Sequence, residues 1–296
     1  MWCSDNWTEY ELLDASDGER LERWGKYILI RPDPQIIWKN QAKHKLWKNA
    51  DAIYRRSNKQ NTASHENTGG GRWVKNDIPE KWSISYGGLK FELKPMGFKH
   101  TGLFPEQAAN WDWFSGLIRE AEREINVLNL FAYTGGATVA AAQAGARVVH
   151  VDASKGMVTM ARENAALSGL GGAHIRYIVD DCKKFVEREI RRGNKYDGII
   201  MDPPSYGRGP GGEIWKLEDS IDEFVELTAS LLSDRPLFFL VNSYTTGLSP
   251  ATVKYIVNQR VVKKYGGCAE ADELGLKVTQ SGLILPCGAS TRWSRQ

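Results

Sequence analysis

A chain of 296 residues, 42% hydrophobic and 25% charged, is long enough for a full α/β core with a smaller second unit, and this balance excludes disordered and fibrous classes. The net charge of +3 is too small to require a polyanionic partner, although a pI near 8.5 permits one. Four scattered cysteines without Cys-x-x-Cys spacing argue against a metal or disulfide framework; the absence of a basic leader or of an apolar run near ~20 residues leads us to expect a cytoplasmic protein with no membrane partner.

In chain order, Leu12-Leu13 and Tyr27-Ile28-Leu29-Ile30 read as strands around a turn at Asp17-Gly18, and Arg31-Pro32-Asp33-Pro34 ends the second. Residues 41–54 look helical, with Leu46, Trp47 and Ile53 inward. The basic residues there (Lys39, Lys43, Lys45, Lys48, Arg55, Arg56, Lys59), beside Trp38 and Trp47, form either a nucleic-acid face or a solvated helix face. Residues 57–71 are a polar loop ending in glycines. Residues 82–86 and 89–93 alternate cleanly around Gly87-Gly88, the signature of a hairpin. The expectation for residues 1–97 is a small α+β unit of order β-β-α-β-β that recognises substrate.

From residue 125 the rhythm becomes strand-helix-strand. Strands are expected over 125–131, 147–152, 175–180, 196–202 and 236–243, with helices over 137–144, 155–168, 183–192, 218–232 and 250–264. Near-continuous apolar strands alternating with amphipathic helices require a buried, mostly parallel sheet. Extended runs at 269–279 and 281–286 add a terminal antiparallel hairpin. The fold class is therefore α/β, a Rossmann-like sheet over residues 98–296.

Three strand ends carry chemistry. Gly135-Gly136 follows the first strand, where glycine backbone lets a ligand approach. Asp152 ends the second strand, at the spacing of an acid that takes ribose hydroxyls. Asp180-Asp181-Cys182 ends the third; Asp181 is the better acceptor for an adenine amino group, because Asp180 is suited to capping the next helix. A nicotinamide cofactor wants Gly-x-Gly-x-x-Gly, which Thr134-Gly135-Gly136-Ala137-Thr138-Val139 does not supply, so S-adenosylmethionine is the expected cofactor.

The fourth strand closes on Asp202-Pro203-Pro204-Ser205-Tyr206. The prolines give up their amides and leave carbonyls and the Asp202 carboxylate as acceptors, while Tyr206 can stack on an extruded base. Beyond it, Gly207 to Gly212 with Glu213-Ile214-Trp215-Lys216 is either a mobile surface loop or an extension of this corner, in which Arg208 and Lys216 hold phosphate and Trp215 stacks.

With these residues in place, the chain resembles the class I S-adenosylmethionine-dependent methyltransferases of the 23S ribosomal RNA large-subunit type. The matching segments are Phe98 to Gln107 (Phe-Lys-His-Thr-Gly-Leu-Phe-Pro-Glu-Gln), Asn129 to Gly136, Val151-Asp152, Asp181 to Phe185 and Asp202 to Tyr206. The resemblance runs from about Tyr10 to the carboxyl end, and a PUA-type RNA-binding domain common in that family is not seen ahead of it. It implies cofactor contacts at Lys99, Thr101, Phe104 and Gln107; at Phe131, Ala132, Tyr133, Thr134, Gly135 and Gly136; at Asp152, Ala153 and Ser154; and at Asp181, Cys182 and Asp202. It implies a catalytic corner of Asp202, Pro203, Pro204 and Tyr206, no metal, an RNA substrate, and a monomer or homodimer.

Methylation at cytosine C5 needs a thiolate. Related enzymes place it after the fifth strand, where this chain reads Asn242-Ser243-Tyr244-Thr245. Cys182 and Cys287 read as small buried fillers, so a nitrogen acceptor is expected, with Asp202 orienting it and receiving its proton. The rival readings are a methyltransferase of the same fold acting on a protein or small molecule, and a non-catalytic RNA-binding protein. The late motif Leu285-Pro286-Cys287-Gly288-Ala289-Ser290-Thr291-Arg292-Trp293 has no evident role beyond closing the sheet edge.

Overall fold

The computed structural model describes residues 1–56, 70–208, 214–245 and 247–295. The chain divides into two compact units, one formed by residues 4–105 with 276–285 and the other by residues 1–3, 106–275 and 286–296.

In the first unit, β2 (Tyr10–Ser16), β3 (Glu19–Trp24), β4 (Tyr27–Pro32), β5 (Ala52–Arg56) and β6 (Gly71–Lys75) form a sheet in that order, with β7 (Trp82–Tyr86) and β8 (Leu89–Leu93) as a separate hairpin; β1 (Trp2–Cys3) belongs to the other unit. Gly87 and Gly88 both have positive φ, as the two-residue turn of that hairpin requires. The sheet buries Leu12, Leu21, Trp24 and Leu29. Across it, the buried Glu22 carboxylate is held by Arg31 at 2.6 Å and by the Tyr10 hydroxyl at 2.9 Å.

The helix expected over residues 41–54 is not formed. A single 3-10 turn (Lys45–Lys48) is followed by β5, and the unit is correspondingly β-rich. The buried carboxylate of Asp14 explains this: it accepts from the His44 amide at 3.0 Å, the Trp47 indole at 2.7 Å and the Asn40 side chain at 2.8 Å. Those bonds draw the segment in as turns and leave Ile53 and Tyr54, good strand residues, to pair with β4 and β6. Of the expected loop at 57–71, residues 57–69 lie outside the described residues.

The second unit contains α1 (Ala108–Glu120), β9 (Asn126–Leu130), α2 (Gly136–Gln143), β10 (Arg147–Asp152), α3 (Lys155–Leu167), β11 (Ile175–Val179), α4 (Cys182–Arg192) and β12 (Gly198–Met201). Then follow β13 (Tyr206–Arg208), β14 (Ile214–Lys216), α5 (Leu217–Ala229), β15 (Phe238–Ser243) and α6 (Pro250–Val257), which continues as a π-helical turn and a short helix to Tyr265. The strands β16 (Cys268–Lys277) and β17 (Ile284–Ser294) complete an eight-stranded sheet of order β1-β16-β17-β15-β12-β9-β10-β11.

Neighbours among β15, β12, β9, β10 and β11 are parallel, and β17 runs antiparallel to β15. The expected Rossmann-like sheet with a terminal hairpin is therefore present. One helix was not anticipated: α1 buries Trp111, Phe114 and Ile118 although its sequence carries no cap signal. The strand order reverses at β9, with β10 on one side and β12 on the other. At such a switch point the helices leave in opposite directions and open a crevice at the carboxyl ends of the strands.

Candidate active site

The turn after β9 is strained and tightly held. Phe131 and Tyr133 have φ of 54° and 50°, left-handed values that cost a non-glycine residue on the order of 1–2 kcal/mol each. Neighbouring elements impose them. Phe131 donates its amide to Cys182 Sγ at 3.2 Å, Ala132 to the Val151 carbonyl at 3.0 Å and Tyr133 to Asp152 Oδ2 at 2.9 Å. Asn164, fully buried on α3, holds the Thr134 carbonyl at 2.8 Å. Strain maintained at a strand's carboxyl end marks a site rather than a connection.

The glycines serve packing more than ligand approach. A Cβ on Gly135, whose φ is 84°, would lie 2.7 Å from the Ala161 Cβ; one on Gly136 would lie 2.6 Å from the Trp111 ring. They let the turn settle on α3 and α1, a packing reason that the sequence did not show.

Asp152 is half-buried at the end of β10. Its two oxygens take the amides of Tyr133 and Ser154 at 2.9 and 2.8 Å, and burial pushes its carboxyl above the usual range. Each oxygen keeps a second lone pair. A desolvated carboxylate short of donors fits a pair of ribose hydroxyls, and the exposed Ala153 and Ser154 beside it leave the approach open.

At the end of β11 the helix cap falls on the other acid. Asp181, not Asp180, caps α4, accepting from the Lys184 amide at 2.9 Å, while Asp180 is ion-paired with Arg188. The arginine one and a half turns along α4 captures the first carboxylate. Cys182 is buried, its thiol pushed far up by desolvation and its sulfur occupied by the Phe131 amide.

The corner after β12 is braced on both sides. Trp215 donates its indole N–H to the Pro204 carbonyl at 2.7 Å and packs against Phe131 and Phe224, with ring centres 5.9 and 5.6 Å away. It is a brace, so the reading of Trp215 as a stacking platform is corrected; Tyr206, 51% exposed on β13, is the ring that faces solvent. Ser205 accepts from the Thr245 hydroxyl at 2.8 Å. The glycine-rich loop lies outside the described residues at 209–213.

Asp202 stands at the head of this corner, with Pro203 buried beside it. Desolvation, reinforced by the negative charge of Glu106, raises its carboxyl to about 7. The neighbouring Tyr244 hydroxyl donates to Glu106 at 3.3 Å and accepts from Gln107 at 2.8 Å.

Gln107 thus belongs to a buried network. Its Oε1 accepts from Asn110 and Asn242 at 2.9 and 3.2 Å, and Asn110 also reaches Ser290 at 2.9 Å. Arg292 donates to Asn110 Oδ1 and to the Ala109 carbonyl, both at 2.8 Å. The late motif, opaque in the sequence, supplies this network and clamps the start of α1 to β15 and β17. The remaining motif residues lie in the first unit: Lys99 donates to the Pro32 carbonyl at 3.3 Å, Thr101 is fully buried, and Phe104 stands 5.0 Å from the His100 ring. Glu106 and Tyr244 were missed by sequence reasoning; adjacency to Gln107 was the one available signal for Glu106.

Comparison with known proteins agrees with this geometry. The S-adenosylmethionine-dependent methyltransferase family matches residues 51–216. A ribosomal RNA large subunit methyltransferase K/L from Shewanella frigidimarina is 38% identical over 136 residues, 46% of this chain and 18% of that protein. The chain spans about a fifth of the length of the curated relatives it matches. The crystal structure of a SAM-dependent methyltransferase from Agrobacterium tumefaciens aligns over 99% of this chain and 93% of its own, with a TM-score of 0.91 and 34% identity. A structure from Streptococcus mutans shares the fold, with a TM-score of 0.73 at 18% identity over 98% of this chain and 76% of its own. Strained turn, ribose-suited acid and end-to-end structural match converge: the chain belongs to the S-adenosylmethionine-dependent methyltransferase family.

Proposed function

We propose that this protein methylates a base nitrogen of ribosomal RNA. The observation that carries the reading is Asp202, a carboxyl raised to about 7 at the head of a proline-rigid corner, across the switch point from Asp152. A carboxylate with that proton affinity is suited to hold an amino group by its N–H and to receive the proton the nitrogen sheds. S-adenosylmethionine supplies an electrophilic methyl group on a sulfonium. The backbone from Phe131 to Gly136 and the acids Asp152 and Asp181 would hold that cofactor, with Ala153, Ser154 and Cys182 beside them; Lys99, Thr101, Phe104 and Gln107 are carried over from the motif they share with the family. Pro203 and Pro204 fix the direction of Asp202, and Tyr206 offers a face for an extruded base.

Two observations support nitrogen over cytosine C5. Cys182 is buried and bonded to a backbone amide, and Cys287 is buried on β17, so neither presents a thiolate. The residues following β15 are Tyr244 and Thr245. Support for ribosomal RNA comes from the names of the relatives. In this reading residues 1–97 recognise substrate and residues 98–296 carry out transfer. The test is transfer of labelled methyl from S-adenosylmethionine to total RNA, ribosomal subunits and protein extract from a strain lacking the gene. Label in one ribosomal RNA, released as an N-methylated nucleoside, is the expected result; label confined to protein or small molecules would overturn it.

A further inference from the structure

One face of the five-stranded sheet, with the segment that crosses it, gathers charge and aromatic rings, among which Arg20, Arg31, Arg56, Trp73 and Phe98 have no part in the proposed transfer site. Side chains alternate along a strand, so Leu29 and Arg31 of β4 share a face with Ala52, Tyr54 and Arg56 of β5, because Leu29 pairs with Ala52. Arg20 lies directly opposite Arg31, and Trp73 of β6 directly opposite Tyr54. Like charges placed opposite one another on a sheet are destabilising unless something compensates them. Here Glu22 takes Arg31 and Asp33 takes Arg20, at 2.6 and 2.5 Å. Among the described residues, Arg56 and Lys99 form no ion pair.

The segment Phe98 to His100 is fixed over this face. Trp73 donates its indole N–H to the Phe98 carbonyl at 3.3 Å, and Arg31 donates to the Lys99 carbonyl at 3.4 Å. Phe98 is left 45% exposed, edge-on to His100 with ring centres 5.3 Å apart, and His100 in turn meets Phe104. Burial holds the Lys99 ammonium below its usual range; Asp33 acts on it from one side, and Arg31, Arg20 and Arg56 add positive charge around it. Burial, with Arg31, Lys99 and Arg20, holds His100 down to about 3, so its ring is neutral where it packs against Phe98 and Phe104.

An exposed ring on a held ledge, beside an arginine with no ion pair among the described residues, is a combination by which single-stranded nucleic acid is held: bases stack without regard to sequence and phosphates meet the charge. We propose that this face binds a single-stranded segment of the RNA substrate, with a base stacked on Phe98 and a phosphate held by Arg56. This rests on RNA being the substrate. It moves the nucleic-acid face from a basic helix, which does not form, to the sheet surface bounded by β6.

The experiment is fluorescence anisotropy with a labelled single-stranded RNA of about 16 nucleotides, an upper site size for such surfaces. It compares the full chain with Phe98→Ala and Arg56→Gln, alongside calorimetric S-adenosylmethionine affinity and methyl transfer to total RNA. Both side chains are exposed, so the variants should fold and keep their cofactor affinity. Phe98→Ala should weaken RNA binding about tenfold with little change in its salt dependence. Arg56→Gln should lower the slope of log affinity against log salt by about 0.7. If both variants bind and methylate RNA like the parent, this face is not the binding surface, and the RNA reading survives. If the parent binds no RNA and labels only protein or small molecules, the RNA reading fails and the inference falls with it.

Discussion

The amide of Tyr133 donates to the carboxylate of Asp152 at 2.9 Å, joining the strained turn after β9 to the end of β10. One acid thus holds a left-handed residue in place and, in the proposed reading, offers its remaining lone pairs to the cofactor. Asp152→Ala should raise the dissociation constant for S-adenosylmethionine by about 10- to 100-fold, the worth of hydrogen bonds to a charged acceptor. Asp152→Asn should lose less, because its carbonyl oxygen still accepts. Isothermal calorimetry decides; an unchanged affinity in Asp152→Ala would remove this residue from the site.

Gly135 and Gly145 both have left-handed φ, 84° and 103°, but only Gly135 is crowded. Gly145→Ala should cost about 1–2 kcal/mol in backbone strain. Gly135→Ala should cost about 1–3 kcal/mol more, since its new methyl meets Ala161. Urea unfolding of the two variants gives the difference directly, and equal costs would show that the turn can shift away from α3.

Asp202 sets a pH dependence of both activity and stability. Its carboxyl titrates near 7, so transfer should rise as pH increases through that value and level off above it. Glu106→Gln removes the charge that helps to raise it and should shift the rising limb to lower pH. For stability the sign is opposite to that of a salt-bridged acid. Between about pH 4 and pH 7 the folded chain keeps a proton that the unfolded chain has lost, so stability falls as pH rises through that window. Partial exposure limits the effect, and Asp202→Asn should be roughly 1–2 kcal/mol more stable than the parent at pH 8 while failing to transfer methyl. A flat pH–rate profile between 6 and 8 would count against the carboxyl as acceptor.

Cys182→Ala should retain methyl transfer at a stability cost of about 1 kcal/mol, the loss of a buried sulfur and of the partner of the Phe131 amide. A folded variant with no activity would bring back a thiolate mechanism.

Asn110 bonds Gln107, Asn242, Ser290 and Arg292, so Asn110→Ala removes one hydrogen bond from each of four buried polar groups, one of them charged, and leaves Arg292 with the Ala109 carbonyl. A loss of roughly 3 kcal/mol in denaturant unfolding is expected. Asn110→Asp should not restore stability, since its second oxygen replaces the donor to Gln107 Oε1 and Asn242 Oδ1 and faces two acceptors.

Much of the fold was legible because its signals are local. Apolar runs at 147–152 and 236–243, amphipathic periodicity over 155–168 and Gly87-Gly88 between alternating strands each declare an element within a few residues. The acids that end those strands were legible for the same reason: Asp152 and Asp202 stand where an apolar run stops. The helix α1 escaped because its buried face, with Trp111 and Phe114, follows no capping residue and begins directly after a segment read as a motif.

The amino-acid sequence by itself determined the alternation of the five parallel strands with helices, the glycine turn and the two strand-end acids, since periodicity and turn chemistry act over the length of one element. Tertiary structure alone decided the rest. Asp14 converted residues 41–54 from a helical pattern into turns and a strand, Arg188 drew Asp180 away from the cap, and Trp215 became a brace for Pro204. Arg292 found Asn110 across 182 positions of sequence. Such outcomes depend on which buried polar group meets which partner, and the cost of leaving one unpaired is settled only when distant segments are brought together.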